Sequence, residues 1–109
     1  MKARVFWTDS ARLDLYDACE FIAGDDLAAA LKLSEQVEKA IARLSIAPNR
    51  GRYVPELDAT PVATEYRELI IRHLRVIYKP APGVVWVHGI FDSRRDLEAA
   101  LMDRLLRKS

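Results

Sequence analysis

An α+β fold is predicted, with one helical hairpin packed on a mostly antiparallel sheet. Three observations lead there. Two stretches with apolar residues at helical spacing stand side by side with only two or three residues between them. Three runs rich in β-branched and aromatic residues then follow one another through tight links, as in a β-meander. The chain has 109 residues, which suits one domain: a protein of this size buries roughly 65% of its unfolded surface, enough for a single core.

The elements follow in the order β-α-α-β-β-β-α over a single domain, 1–109. "ARVFW", 3–7, is a short apolar run and reads as the N-terminal strand. Thr8 is a good N-cap, and Asp9 in the first turn complements the helix dipole. Ala11, Leu15, Ala18 and Ile22 form one stripe, and Gly24 closes the first helix. Asp25 or Asp26 caps the second, whose stripe is Ala30, Leu33, Val37, Ala40, Ile41 and Leu44, with Glu35 four residues before Lys39 on its other side. Pro48 ends it. The segment 47–64 holds three prolines, a glycine and no period, so it is a long connection of the kind that often carries function. Strands are expected at 65–71, 74–79 and 84–90, the last two joined by "PAPG". "SRRD", 93–96, has the form of a capping box ahead of a C-terminal helix bearing Leu97, Leu101 and Leu105. Leu15, Ile22, Leu33, Val37, Ile41 and Leu44 are the expected core between hairpin and sheet.

Composition removes several function classes. No run approaches the ~20 apolar residues of a membrane span, and the N-terminus lacks the apolar stretch of a secretory signal. Cys19 is the only cysteine and is read as a buried thiol in a reduced, cytoplasmic protein. One cysteine and two strand histidines make no metal cluster, and the four glycines form no phosphate-cradling motif, so neither metal nor cofactor is expected. The net charge of +1 is split: residues 1–60 carry −2 and residues 61–109 carry +3. That falls short of a nucleic-acid-binding domain but allows a local basic cleft.

Much of the excess sits in "EYRELIIRHLRVIYK", 65–79, where Arg67, Arg72, His73, Arg75 and Lys79 interrupt a strand pattern. Alternation puts Arg67, Leu69 and Ile71 on one face and Tyr66, Glu68 and Ile70 on the other; Arg75 and Ile77 lie opposite Val76 and Tyr78. His88 shares its face with Val84, Trp86 and Ile90. Each has a structural reading: Arg67 as an ion-paired strand residue beside Glu68, Tyr78 as a packing aromatic, His88 as a hydrogen-bonded core ring. Arg94 and Arg95 precede a helix, the wrong end of its dipole for cations, which weakens a structural explanation and favours binding. Leu13 and Tyr16 lie off the first helix's stripe, covered by the second helix or exposed to a partner. The 97/101/105 leucines are either core or a docking strip near a terminus.

Trp7-Thr8, Ala11 and Asp14-Leu15 precede the hairpin, and Leu44, Pro48 and Gly51-Arg52 follow it. "YREL" at 66–69, "RVIY" at 75–78 and Arg94-Arg95-Asp96 complete a pattern that resembles the RelE/ParE superfamily, the toxins of bacterial type II toxin–antitoxin modules, over about residues 5–97. The resemblance implies that fold and a cognate antitoxin, ParD-like or similar, with which the chain forms a hetero-oligomer; a homodimer is also open. RelE-type members cleave mRNA in the ribosomal A site; ParE-type members inhibit DNA gyrase and serve in plasmid stabilization and growth inhibition. "APNRGRYVPEL", 47–57, and the low positive charge favour the ParE side, since ribosome docking rests on phosphate neutralisation. The alternatives are a RelE-like endoribonuclease and a non-toxic homologue that binds its antitoxin in operon autoregulation. On the ribonuclease reading Arg67, Arg75, Tyr78, His88 and Arg94 are the candidates for charge stabilisation and proton transfer. The partner-binding candidates are Leu13, Tyr16, Arg94, Arg95, Leu97, Leu101 and Leu105.

Overall fold

A computed structural model describes residues 2–106 of the chain. Strand β1 (Arg4–Trp7) leads into helices α1 (Asp9–Ala23) and α2 (Leu27–Ala42), followed by strands β2 (Arg52–Tyr53), β3 (Arg67–Ile71), β4 (Leu74–Ala81) and β5 (Val84–Asp92) and helix α3 (Leu97–Leu101). The five strands form one sheet in the order β1-β5-β4-β3-β2. β1 runs parallel to β5; every other pairing is antiparallel.

The caps fix the hairpin. The Thr8 hydroxyl accepts from the Ala11 amide at 3.1 Å and an Asp26 carboxylate oxygen from the Ala29 amide, also at 3.1 Å. Gly24 ends α1 with φ −58°, in the right-handed region rather than in a left-handed cap, and an added Cβ would meet only an ordinary contact with the Phe21 carbonyl oxygen. Ala11 and Leu15 from α1 and Leu33, Val37 and Ile41 from α2 are buried against Leu74, Val76, Tyr78, Val85, Val87 and Ile90, with Leu44 closing one end. Ile22 and Ala18 are only partly buried and pack at the margin of this core, as does Cys19, which is half-buried rather than enclosed; burial raises its thiol pKa.

Four expectations are corrected by the structure. The connection 47–64 is not structureless: Arg52–Tyr53 pairs with β3 as a two-residue edge strand, and Pro55–Leu57 forms a single 3₁₀ turn. His73 is not a strand histidine: it lies with Arg72, at φ +56°, in the turn between β3 and β4, where the expected strand bounds 65–71 and 74–79 leave both. In β5 the alternation breaks. Ile77 pairs with Gly89 and Tyr78 with Val87, so His88 is the extra residue of a bulge. Ile90 therefore packs into the hairpin core with Val85 and Val87 instead of sharing the face of His88. Finally, Asp96 and not Ser93 caps α3, its carboxylate accepting from the Ala99 amide at 3.3 Å. Arg94 and Arg95 thus stand in a turn ahead of the helix. α3 itself is short and passes into a wider π-type turn, Met102–Leu106.

A second, smaller core covers part of the other sheet face. Leu97 and Leu101 pack there with Val54, Leu57, Tyr66 and Ile77, and Leu105 lies against them. The leucine strip read as a possible docking seam is turned onto the sheet, because α3 has no other apolar side with which to hold itself.

Candidate functional site

The sheet face opposite the hairpin carries a closed network of charge. Arg75 projects from β4 and is nearly buried. Its Nε donates to Glu68 Oε1 at 2.7 Å and its Nη2 to Glu68 Oε2 at 2.9 Å. Nη1 and Nη2 reach Glu56 Oε2 at 2.8 Å and Oε1 at 2.7 Å. The fork is satisfied by two carboxylates at once, the bidentate geometry in which arginine is strongest. Glu68 has no exposed side-chain surface and also accepts from Arg52 Nε at 2.6 Å. The hydrogen bonds from Arg75 hold the Glu56 carboxyl below its ordinary value, and those to the two carboxylates raise the Arg75 pKa further. Glu56 sits in the 3₁₀ turn of the 47–64 connection, so this network pins that segment to the sheet.

Arg67 and Tyr78 lie elsewhere. They are register partners on adjacent strands, which puts them on the hairpin side of the sheet. The Tyr78 hydroxyl accepts from the Gly51 amide at 2.8 Å, and burial raises its pKa. Arg67 Nη1 donates to Gly51 O at 2.7 Å and to Asn49 O at 3.3 Å, and its guanidinium lies 4.3 Å from the centre of the Tyr53 ring. The backbone at Gly51 is thereby locked between strands. A Cβ there would run into the Glu68 carbonyl oxygen and stand 2.8 Å from the Tyr78 hydroxyl. Because the nearest obstacle is backbone, Gly51→Ala is expected to cost about 1–3 kcal/mol, the usual range for overpacking. Chemical denaturation checks this; a loss below about 0.5 kcal/mol would mean the loop gives way freely.

His88, on the charge-network face, stacks edge-on with Tyr66 at 5.5 Å between centroids. Beyond Val87, β5 has lost β1 as a neighbour, and its edge is satisfied instead by an ion pair. Asp14 Oδ2 accepts from the Ile90 amide at 2.9 Å, while Arg104 Nη1 donates to His88 O at 3.1 Å and to Asp14 Oδ2 at 2.9 Å. Arg94 folds back on Asp92, with Nε and Nη2 at 2.9 and 2.6 Å from its two oxygens, and holds that carboxyl well below the usual range.

These shifts predict acid sensitivity. Burial lowers the His88 pKa below its ordinary 6.5, so the unfolded chain binds a proton that the folded one refuses; stability falls as pH drops below about 6.5. Glu56 is depressed from 4.5, so its contribution is complete above that value and is lost as pH falls through its folded pKa. The urea midpoint is expected to fall from neutral pH toward pH 5, and His88→Gln to flatten that limb. Parallel curves for the two proteins would show that the ring is not penalised by burial.

The five residues considered for proton transfer and charge stabilisation thus stand in three places: Arg67 and Tyr78 at the β2–β3 edge on the hairpin side, Arg75 and His88 on the opposite face, and Arg94 at the end of β5. Arg75 is enclosed by carboxylates and Arg94 is engaged by Asp92. Of the partner-surface residues, Leu13 and Tyr16 are exposed, 59% and 60%, on the outer side of α1. Tyr16, which bonds Glu20 through its hydroxyl, also rims a cleft of about 530 Å³ lined by Val5, Trp7, Leu15, Cys19 and Ile41. Arg94 and Arg95 line a second cleft of about 470 Å³ with His73, Phe91 and Asp17. Glu56, Asp14 and Arg104 were missed by sequence reasoning. Their one legible signal was that the carboxylates sit where no helix dipole or i,i+4 partner accounts for them. No group of three or more His, Cys, Asp or Glu side chains that could hold a metal occurs among the described residues, and no helix there is long and apolar enough to cross a membrane.

The family model for the ParE toxin of type II toxin–antitoxin systems, parDE, matches residues 5–97. Among solved structures, the chain is similar to one from the chromosomal ParDE system of P. aeruginosa, at 17% identity and a TM-score of 0.68, over 84% of this chain and 96% of that one. It is similar to a chain of the RelBE2 toxin–antitoxin complex of Mycobacterium tuberculosis, at 23% identity and a TM-score of 0.56, over 84% and 92%. A double arginine mutant of the E. coli toxin RelE in the free state shares 14% identity with a TM-score of 0.61, over 97% and 100%. These likenesses speak for the fold. No curated protein matches the chain.

Proposed function

The chain belongs to the ParE toxin family of type II toxin–antitoxin systems, and from that premise we propose that it inhibits DNA gyrase when free and is held inactive by a cognate antitoxin. The observation that supports gyrase over ribonuclease is the dispersal of the candidate catalytic groups. Cleaving RNA needs cations and a proton donor within hydrogen-bond reach of one phosphate. Here the Arg75 fork is filled by Glu56 and Glu68, and the Tyr78 hydroxyl lies on the other side of the sheet against Gly51. A toxin that acts by binding needs no such convergence. An antitoxin partner is supported by the neighbours, one from a ParDE system and one solved as a toxin–antitoxin complex. We place the antitoxin on the exposed α1 surface at Leu13 and Tyr16.

Two assays test the reading. The purified protein is expected to block gyrase supercoiling and to leave mRNA on translating ribosomes intact, with Arg94→Ala and His88→Ala as toxic as the parent. Cleavage in the A site that Arg94→Ala abolishes would replace this reading with the RelE-like one, and a protein with neither activity would point to a non-toxic antitoxin binder. Leu13→Lys is expected to weaken antitoxin binding at least about tenfold, the scale of a centrally placed apolar contact, without altering the melting temperature. Unchanged affinity would move the antitoxin elsewhere.

A further inference from the structure

The free edge of the sheet at β2 is unlike the rest of the surface. Between residues 47 and 54 there are two arginines, Arg50 and Arg52, and no acidic residue. Arg67 reaches the same edge from β3, and its guanidinium covers the ring of Tyr53 at 4.3 Å. Arg50 is exposed and, among the described residues, makes no side-chain hydrogen bond or ion pair; it lies near enough to the Tyr78 hydroxyl to act on it electrostatically, as Arg67 does. Arg52 gives its Nε to Glu68, at 2.6 Å, and lies near enough to Glu56 to favour its charged form, while the rest of its guanidinium is exposed. The backbone beneath is rigid: the Gly51 amide is held by Tyr78 at 2.8 Å, and the Gly51 carbonyl by Arg67 Nη1 at 2.7 Å. Arg67 with Tyr53 lies on the hairpin side of this edge and Arg52 with Glu68 on the opposite side, so guanidinium groups with unused donors flank the edge from both faces, with no further strand of this sheet beyond them among the described residues.

We propose that Arg50, Arg52 and Arg67 form a contact surface for the phosphate backbone of duplex DNA. Guanidinium forks match phosphate oxygens in geometry as well as charge. The arrangement favours backbone over bases: guanidinium groups outnumber aromatic rings at this edge, and one face of Tyr53 is taken by Arg67, whereas single-strand capture relies on successive aromatic platforms. Gyrase works on duplex DNA, so this surface deepens the target reading above and rests on it for its setting. On that reading the toxin touches both the enzyme and the DNA it holds.

The test is fluorescence anisotropy of the full chain with short duplex DNA of mixed sequence across a salt series. With three phosphates neutralised, the logarithm of the affinity should fall against that of salt with a slope of about −2.7, which is about 40-fold between about 50 and 200 mM. Arg50→Gln and Arg52→Gln should each reduce the slope by about 0.9, and the exposed Lys39→Gln on α2 should leave it unchanged. Arg50→Gln removes no bond within the fold, so it reports on the surface even if an Arg52 or Arg67 variant is unstable. A wild-type slope near zero, or Arg50→Gln binding like the parent, overturns the proposal. So does a loss of antitoxin affinity in these variants with duplex binding intact, which would make the edge a protein-docking surface. Variants that lose DNA binding but inhibit supercoiling like the parent would overturn the link to the target while sparing the gyrase reading. DNA binding with the expected slope but no gyrase inhibition by the wild type would sink the gyrase reading and leave the surface standing.

Discussion

Glu68→Ala is expected to destabilise the protein by about 3 kcal/mol, the lower end of the range for breaking a buried ion pair, because Arg75 keeps Glu56. The carboxylate is fully buried and accepts from Arg75 and Arg52. Deleting it leaves Glu56 as the one remaining partner of the buried Arg75 guanidinium, strips Arg75 Nε and Arg52 Nε of their acceptors and opens a void in the sheet face, so the cost comes from unsatisfied buried donors rather than from the pair itself. Glu68→Gln should cost less, since one oxygen still accepts. The double variant Glu68→Met/Arg75→Met should recover much of the loss, because an apolar pair of similar volume needs no partners. Urea denaturation of the three variants decides the point. A double variant as unstable as Glu68→Ala would mean that the network contributes through Glu56 and the 47–64 segment, not through burial of charge.

Ile41→Ala should cost about 2–4 kcal/mol, within the usual range for truncating a buried aliphatic side chain. Ile41 is 1% exposed and lies where α2 crosses the sheet, beside Val37, Leu44 and the hairpin side of β4 and β5. Val37→Ala is smaller for having fewer atoms to lose. Denaturant midpoints for both, with unchanged m-values, check the assignment. A loss below about 0.5 kcal/mol at both positions would mean that the helical stripe does not face the sheet.

What the residues disclosed in advance divides by range. Thr8, Asp26 and the stripe through Leu33, Val37 and Ile41 act within a few positions of one another, so the hairpin could be read directly. β2 could not, because a two-residue strand has no period and is defined only by its pairing with Glu68 and Arg67. The bulge at His88 also escaped: alternation is counted from one end of a strand, and a single extra residue inverts everything after it, which is why Ile90 fell on the wrong face. At the start of α3, Ser93 and Asp96 both have the chemistry of a cap; Asp96 prevails because the Asp92 carbonyl and carboxylate already hold residues 94 and 95 in a turn. For the candidate site, alternation did separate Arg75 from Tyr78. It could not say that Arg75 would meet Glu56, 19 residues away in an aperiodic segment.

The parallel pairing of β1 with β5 has a consequence for biosynthesis. Among the described residues β1 pairs with β5 alone, at Val84–Val87, which is made well after α2 is complete. At roughly 5–20 residues per second, a ribosome holds the completed helical hairpin for several seconds before the sheet that must cover its apolar side exists. Closing the loop between β1 and β5 spans most of the sequence, so it belongs to the slow class of contacts whose entropy is spent before any reward. The Asp14–Arg104 pair, 90 positions apart, seals the same closure from the other side of β5. From the completion of α2 at Ala42 until β5 emerges at Val84, the nascent chain is thus an open, sticky hairpin. An antitoxin already present in the cell would meet the toxin at the moment it becomes one.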